Sequence, residues 1–343
     1  MFHPGLSMAW QIAIGVALTW LAVLVNVVTL DIGKWVPNLG AIIKVIIFGA
    51  IITGSMVYIQ DHGMANPLTL ETLKPDWSNS AQYIPAIIYG MLGFELVSAG
   101  SEEMKNPARD VPRAILISGL IIIVLYLLGT VAVLAAIPAG DINLVEGLID
   151  TLSLFLGGTP GGDLLVMVLG IGALYTFFSN GVTWALGCNR AAAEAALEGE
   201  LPRVFAIENR KRGTPVGAAV LMGMVSTFAL LLYGFLAGSN EDLFWSLFAF
   251  SAVIFLLPYE AMLLAFLKMR LTDPHHPRPY RLPGGMGSAR AAAWLCFAVL
   301  ALAIGLFLYT PGEGVEWAVL AGVVVTLAIG EVVIRFAENH RRT

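Results

Sequence analysis

Nine runs of about 20 apolar residues follow one another along this chain, each long enough as a helix to cross a hydrocarbon core roughly 30 Å thick. They lie near Met8–Leu30, Asn38–Ile59, Ala81–Gly100, Pro112–Ile137, Gly161–Gly187, Thr214–Leu236, Leu243–Leu267, Arg290–Tyr309 and Glu316–Phe336, here spans A to I. A soluble fold would have to cover these runs with polar surface, and little is available. Only 13% of the residues are charged and 58% are hydrophobic, against about 25% charged in ordinary soluble domains. The runs show no sustained alternation of apolar and polar residues, which excludes a membrane β-barrel. The expected fold class is an all-α membrane protein with nine transmembrane helices.

Basic residues orient the spans. The connections after A, C, E and G, with the tail after I, hold 17 of the 19 Lys and Arg residues. The opposite connections hold only Lys74, and Lys44 lies within span B. By the positive-inside rule the first set is cytoplasmic, which puts Met1 outside and Thr343 inside. An outer N-terminus without a signal segment hints that the chain begins partway through a longer protein. The segment Asp141–Gly158 reads as amphipathic, with Ile142, Leu144, Val145, Leu148, Ile149 and Leu152 expected at the interface or over a vestibule. The alanine-rich Arg190–Glu198 predicts that helix E continues beyond the membrane.

No basic tract suited to nucleic acid appears. Cys188 and Cys296 match no metal spacing and read as small apolar filler. His275 and His276, beside prolines in the loop Thr272–Gly287, read as solvated. All five histidines lie outside the spans. A membrane-embedded enzyme would need reactive groups at matched depth, so no cofactor and no catalytic group is expected.

Span C carries the most chemistry, in Tyr89-Gly90-Met91-Leu92-Gly93-Phe94-Glu95. Gly90 and Gly93 let a helix lose regularity in mid-span, and Glu95 places an ionisable group at membrane depth, costing about 2.5–3.5 kcal/mol on insertion scales. Together they predict a discontinuous helix lining a midplane substrate site. The competing reading is close packing at the glycines, with Glu95 bonded to a neighbouring helix. Lys44 either faces the bundle interior as a titratable cation or snorkels to the interface. Glu260 in span G, with Lys268 two turns along, reads as structural. Trp184 in span E suits stacking on a substrate, or ordinary packing.

Gly93-Phe94-Glu95, followed by Glu102-Glu103-Met104-Lys105-Asn106-Pro107-Ala108-Arg109-Asp110-Val111-Pro112-Arg113, resembles the amino acid–polyamine–organocation family of permeases. Further matching stretches are Asn189-Arg190 with Gly199-Glu200-Leu201-Pro202 and Thr214-Pro215-Val216, and Arg278-Pro279-Tyr280-Arg281-Leu282-Pro283-Gly284-Gly285. The resemblance implies that spans A to I match family helices four to twelve, in an incomplete leucine-transporter fold of inverted repeats. Residues 8–59 would be the remainder of the first repeat, 81–267 the second repeat and 290–336 two additional helices of one permease domain.

The same resemblance implies site residues. Tyr89, Gly90, Met91, Leu92, Gly93 and Phe94, with Trp184, would bind substrate, and Glu95 and Lys44 would serve proton coupling. Family helices one to three have no counterpart here, so the chain as given is not expected to transport unaided. The implied function is secondary transport of amino acids across the plasma membrane, by proton-coupled symport or exchange. A non-transporting remnant or partner fragment is the alternative. The implied partners are the amino acid, protons or a counter-substrate, the lipid bilayer, and the absent N-terminal helices or a homo-oligomer.

Overall fold

Apolar length dictates most of the architecture seen in the computed structural model. It describes residues 7–342 apart from 29, 73, 75–80, 96–97, 99–103, 143–146, 238 and 279. The helices are α1 (Met8–Val28), α2 (Leu30–His62), α3 (Ile84–Gly90), α4 (Pro107–Ala136), α5 (Gly147–Leu156), α6 (Gly162–Leu197), α7 (Val216–Leu236), α8 (Asn240–Thr272), α9 (Gly285–Leu308) and α10 (Trp317–Arg342). Among the described residues eight helices, all but α3 and α5, are long and apolar enough to cross a membrane. Their outer faces carry large apolar side chains such as Leu116 (70% exposed) and Phe235 (88% exposed). Patches of this kind are stable only against lipid or another protein.

The expected count of nine is not reached among the described residues, because span C holds only a short helix that stops at the glycines. Pro85 starts α3 within its first turn, where a missing N–H is harmless. The helix is only seven residues long and ends at Gly90. The Lys34 region departs too: it continues α2, which contains Pro37, rather than forming a separate connection. As the alanine-rich stretch predicts, α6 runs 36 residues, about 54 Å at 1.5 Å per residue, well beyond the hydrocarbon core. Met1, Thr343, Leu144, Val145, Glu102 and Glu103 lie outside the described residues.

The chain divides into two compact units that interleave along the sequence. Unit 1 comprises Met1–Leu73, Val124–Glu241 and Gly330–Thr343. Its core is formed by Ile47 and Ile51 of α2, Ala132 of α4, Leu152 of α5, and Val166, Leu169 and Ala173 of α6. The amphipathic segment is therefore corrected in part: in α5, Thr151 and Leu152 are fully buried against this core rather than lying free at an interface. Helix ends are tied by side chains. Asn66 Nδ2 donates to the carbonyls of Leu134 and Ile137 at 2.6 and 2.7 Å, and Thr214 Oγ1 donates to that of Val27 at 2.9 Å. These are the terminal carbonyls that a helix cannot satisfy itself.

Helices α2 and α6 approach closely because Gly40 faces Ser179, whose Oγ donates to the Val36 carbonyl at 2.9 Å. A Cβ on Gly40 would stand 2.3 Å from that oxygen and 2.8 Å from the Ser179 Cβ. Gly40→Ala should therefore cost about 1–3 kcal/mol by overpacking, read as a lower unfolding temperature in detergent. Gly49→Ala, where a Cβ meets nothing within 4 Å, should be neutral or better. Equal melting of the two variants would contradict this packing.

Unit 2 comprises Lys74–Ile123 and Asp242–Ile329. Ala252, Val253 and Leu256 of α8 pack with Leu300, Ala303 and Phe307 of α9 and with Val319 and Val323 of α10. Ile88, Tyr89 and Leu92 lie against that cluster. A two-residue hairpin (β1 Tyr309–Thr310, β2 Gly314–Val315) turns α9 into α10.

Candidate functional site: a broken helix and its carboxylate

The end of α3 is closed by tight backbone turns. The carbonyls of Ile87 and Ile88 accept the Met91 N–H, both at 3.2 Å, and that of Tyr89 accepts the Leu92 N–H at 3.2 Å. Gly93 then takes φ +109°, a region that side chains with a Cβ rarely adopt. The chain turns at this point, and Glu95 folds back over the break. Its Oε2 accepts the Gly93 N–H at 2.9 Å, and its Oε1 accepts a hydrogen bond from the Tyr259 hydroxyl of α8. Ser98 Oγ donates to the Glu95 carbonyl at 2.7 Å.

Both partners of the carboxylate are donors, so Glu95 serves as a double acceptor. A proton arriving on Oε1 would force the Tyr259 bond to reverse or break. The position on α8 is suited to such a change: Pro258 lies within the helix, removes one N–H and frees the Ile254 carbonyl four residues back.

Aromatic residues fix the surroundings. The Tyr89 ring meets Phe248 and Phe255 edge-on, with centroids 5.2 and 5.6 Å apart, and Tyr259 meets Phe255 at 5.0 Å. Phe94 lies over Gly119 of α4, within 3.6 Å of where a Cβ would stand. Tyr89, Met91, Leu92, Gly93, Phe94 and Glu95 are each partly buried, whereas Gly90 is exposed. Tyr259 was not legible as a site residue. The only signal was its place in Pro258-Tyr259-Glu260, of which only Glu260 stands out as an ionisable group.

Glu260 is 9% exposed, and neither carboxylate oxygen has a hydrogen-bond partner among the described residues. The relation to Lys268 suggested by spacing forms no ion pair. Eight residues of helix separate the two by about 12 Å, and Lys268 is exposed.

Unit 1 holds the other two predicted residues. Lys44 of α2 is exposed, and its Nζ donates to Asn180 Oδ1 of α6 at 3.4 Å, so its head group reaches a neighbouring helix. Trp184 lies one turn beyond Asn180 and lines a 790 Å³ apolar groove between α1, α6 and α7, with Phe177, Phe178 and Cys188 among its walls. Lys44 does not line that groove. Among the described residues no group of three or more His, Cys, Asp or Glu side chains is placed to hold a metal ion.

A short helix that ends at glycines beside a carboxylate, in a chain with eight helices long and apolar enough to cross a membrane, fits a membrane transport protein. The chain belongs to the amino acid permease family, whose profile matches residues 5–329. It is 31% identical over 344 residues to a Lactococcus lactis protein named "Probable agmatine/putrescine antiporter", covering 98% of this chain and 72% of that one. An uncharacterized transporter of Legionella pneumophila is 28% identical over 82% of this chain and 61% of its own length. A glutamate/gamma-aminobutyrate antiporter of Lactococcus lactis is 24% identical over 80% and 55%. Against the last two relatives the chain thus spans little more than half to three-fifths of their length.

Proposed function

We propose that the protein is a secondary transporter exchanging amino acids or their amine derivatives across the plasma membrane, with proton-coupled symport as the alternative cycle. One observation carries the reading: Glu95 bridges the backbone of the broken helix and Tyr259 of α8. A single protonation there changes which of two elements the carboxylate holds, and an element with two arrangements is what alternating access requires. The acidic group and the carbonyl end of α3 both favour a cationic, amine-bearing substrate. The names of two relatives as antiporters of amines and amino acids favour exchange over symport.

The reading includes the leucine-transporter arrangement, with residues 8–59 closing a first repeat, 81–267 forming the second and 290–336 adding two helices. It also includes a cytoplasmic C-terminus, supported by the distribution of Lys and Arg. Substrate contacts are assigned to Tyr89–Phe94 and Trp184, and coupling to Glu95 with Lys44.

The test is counterflow with the complete gene product in proteoliposomes. Labelled agmatine, putrescine, glutamate and leucine are offered to vesicles preloaded with the unlabelled compound or left empty. Saturable accumulation in preloaded vesicles alone is expected for at least one amine or amino acid. Equal uptake in both vesicle sets would favour symport, and none in either would sink the transporter reading. Lys44→Ala should slow the active substrate several-fold if the lysine serves coupling, with the protein still folded. An unaltered rate at equal protein would remove Lys44 from the site.

A further inference from the structure

Of the basic residues on and between α8 and α9, two are tied down by their neighbours. Arg270 lies over the Phe266 ring at 4.4 Å, and Arg278 donates to the carbonyls of Met269, Asp273, Pro274 and His276. Lys268 and Arg290, by contrast, have no ion-pair partner among the described residues. Both line one apolar groove of 360 Å³ between the two helices, together with Leu264, Leu267, Leu271 and Trp294.

Depth orders these groups. Lys268 precedes the end of α8 by four residues and Arg290 follows the start of α9 by five. At 1.5 Å per residue each cation sits about 6–8 Å inside the end of its own helix. Leu264 and Trp294 each lie one turn deeper than the cation on their own helix. Leu264 is 46% exposed and Trp294 54% exposed. Two cations beside an apolar groove walled by leucines and a tryptophan match an anionic headgroup over an acyl chain.

We propose that this groove seats one anionic phospholipid, its phosphate between Lys268 and Arg290 and an acyl chain along Leu264, Leu267 and Trp294. Charge complementarity selects the occupant: a zwitterionic lipid brings no net charge to two unpaired cations. A soluble anion leaves the apolar channel and the exposed indole uncovered. With the orientation proposed above, the seat faces the cytoplasmic leaflet, where anionic lipid concentrates. The inference stands apart from the Glu95 site and from any transport activity.

The test uses the complete gene product, purified, delipidated and titrated with phosphatidylglycerol or phosphatidylcholine under native mass spectrometry. One phosphatidylglycerol should be retained with a preference on the order of 10-fold. The preference should vanish when Lys268→Gln and Arg290→Gln are combined and survive Arg281→Gln. Soluble glycerol phosphate should not displace the lipid. A second readout leaves both cations in place: brominated phosphatidylglycerol should quench tryptophan fluorescence more than brominated phosphatidylcholine, and Trp294→Phe should remove the difference. Equal retention of both lipids, a preference that survives the double substitution, displacement by glycerol phosphate, or quenching indifferent to the headgroup would each overturn the proposal.

Discussion

Gly93→Val is expected to reduce exchange at least 10-fold while the protein still reaches the membrane. The reason is local. Gly93 holds φ +109°, a backbone region that costs a residue with a Cβ about 1–3 kcal/mol, and a β-branched side chain is among the least tolerant of it. Relief would require the chain to leave this conformation, and the Gly93 N–H would then leave Glu95 Oε2, which it reaches at 2.9 Å. The clamp would lose its backbone half. Gly49→Ala makes the control, since Gly49 lies within α2, is not among the positive-φ glycines and would offer a Cβ open space. Alanine favours a helix, so its exchange rate should stay near the parent's. Initial exchange rates at matched surface amounts read the contrast. Similar rates for Gly93→Val and the parent protein would show that the break does not need this conformation.

Tyr259→Phe should have the second large effect, acting on the other half of the clamp. It keeps the ring that packs edge-on against Phe255 and removes only the hydroxyl that donates to Glu95. A hydrogen bond to a charged group contributes about 1.5–3 kcal/mol, which corresponds to a change of about 10- to 150-fold in the ratio of clamped to released states. If the clamped state is one end of the transport cycle, the apparent substrate affinity measured from one side should shift and the other side should not follow equally. Combining Tyr259→Phe with Glu95→Gln should add little to the stronger single variant, because both remove one interaction. Full additivity would show that the two residues act separately.

Much of the fold was legible because the bilayer imposes length on every span. Span A, read as Met8–Leu30, is α1 at Met8–Val28, and span F, read as Thr214–Leu236, is α7 at Val216–Leu236. The interruption at Gly90–Gly93 was also legible, since two glycines and a carboxylate in mid-span are expensive unless a break uses them. Its partner was not. Tyr259 lies 164 positions from Glu95 and Asn180 lies 136 from Lys44, and no spacing along the chain encodes such pairs. Helix α5 misled for another reason: an apolar stripe looks the same whether it faces an interface or, like Leu152, a core. The interleaving of the two units was hidden likewise, because α4, α8 and α10 each cross from one unit to the other.

The central claim is that protonation of Glu95 sets the state of the broken helix. The most direct test is the initial exchange rate as a function of pH for the parent protein and Glu95→Gln, both as complete gene products at equal amounts in proteoliposomes. Glutamine keeps the shape and an acceptor oxygen for Gly93 or Tyr259, but it cannot take up a proton between them. A parent rate that changes with pH beside a flat profile in Glu95→Gln is the predicted result. A Glu95→Gln profile that rises and falls with the parent's would contradict the claim and leave Glu95 a structural tie between α3 and α8.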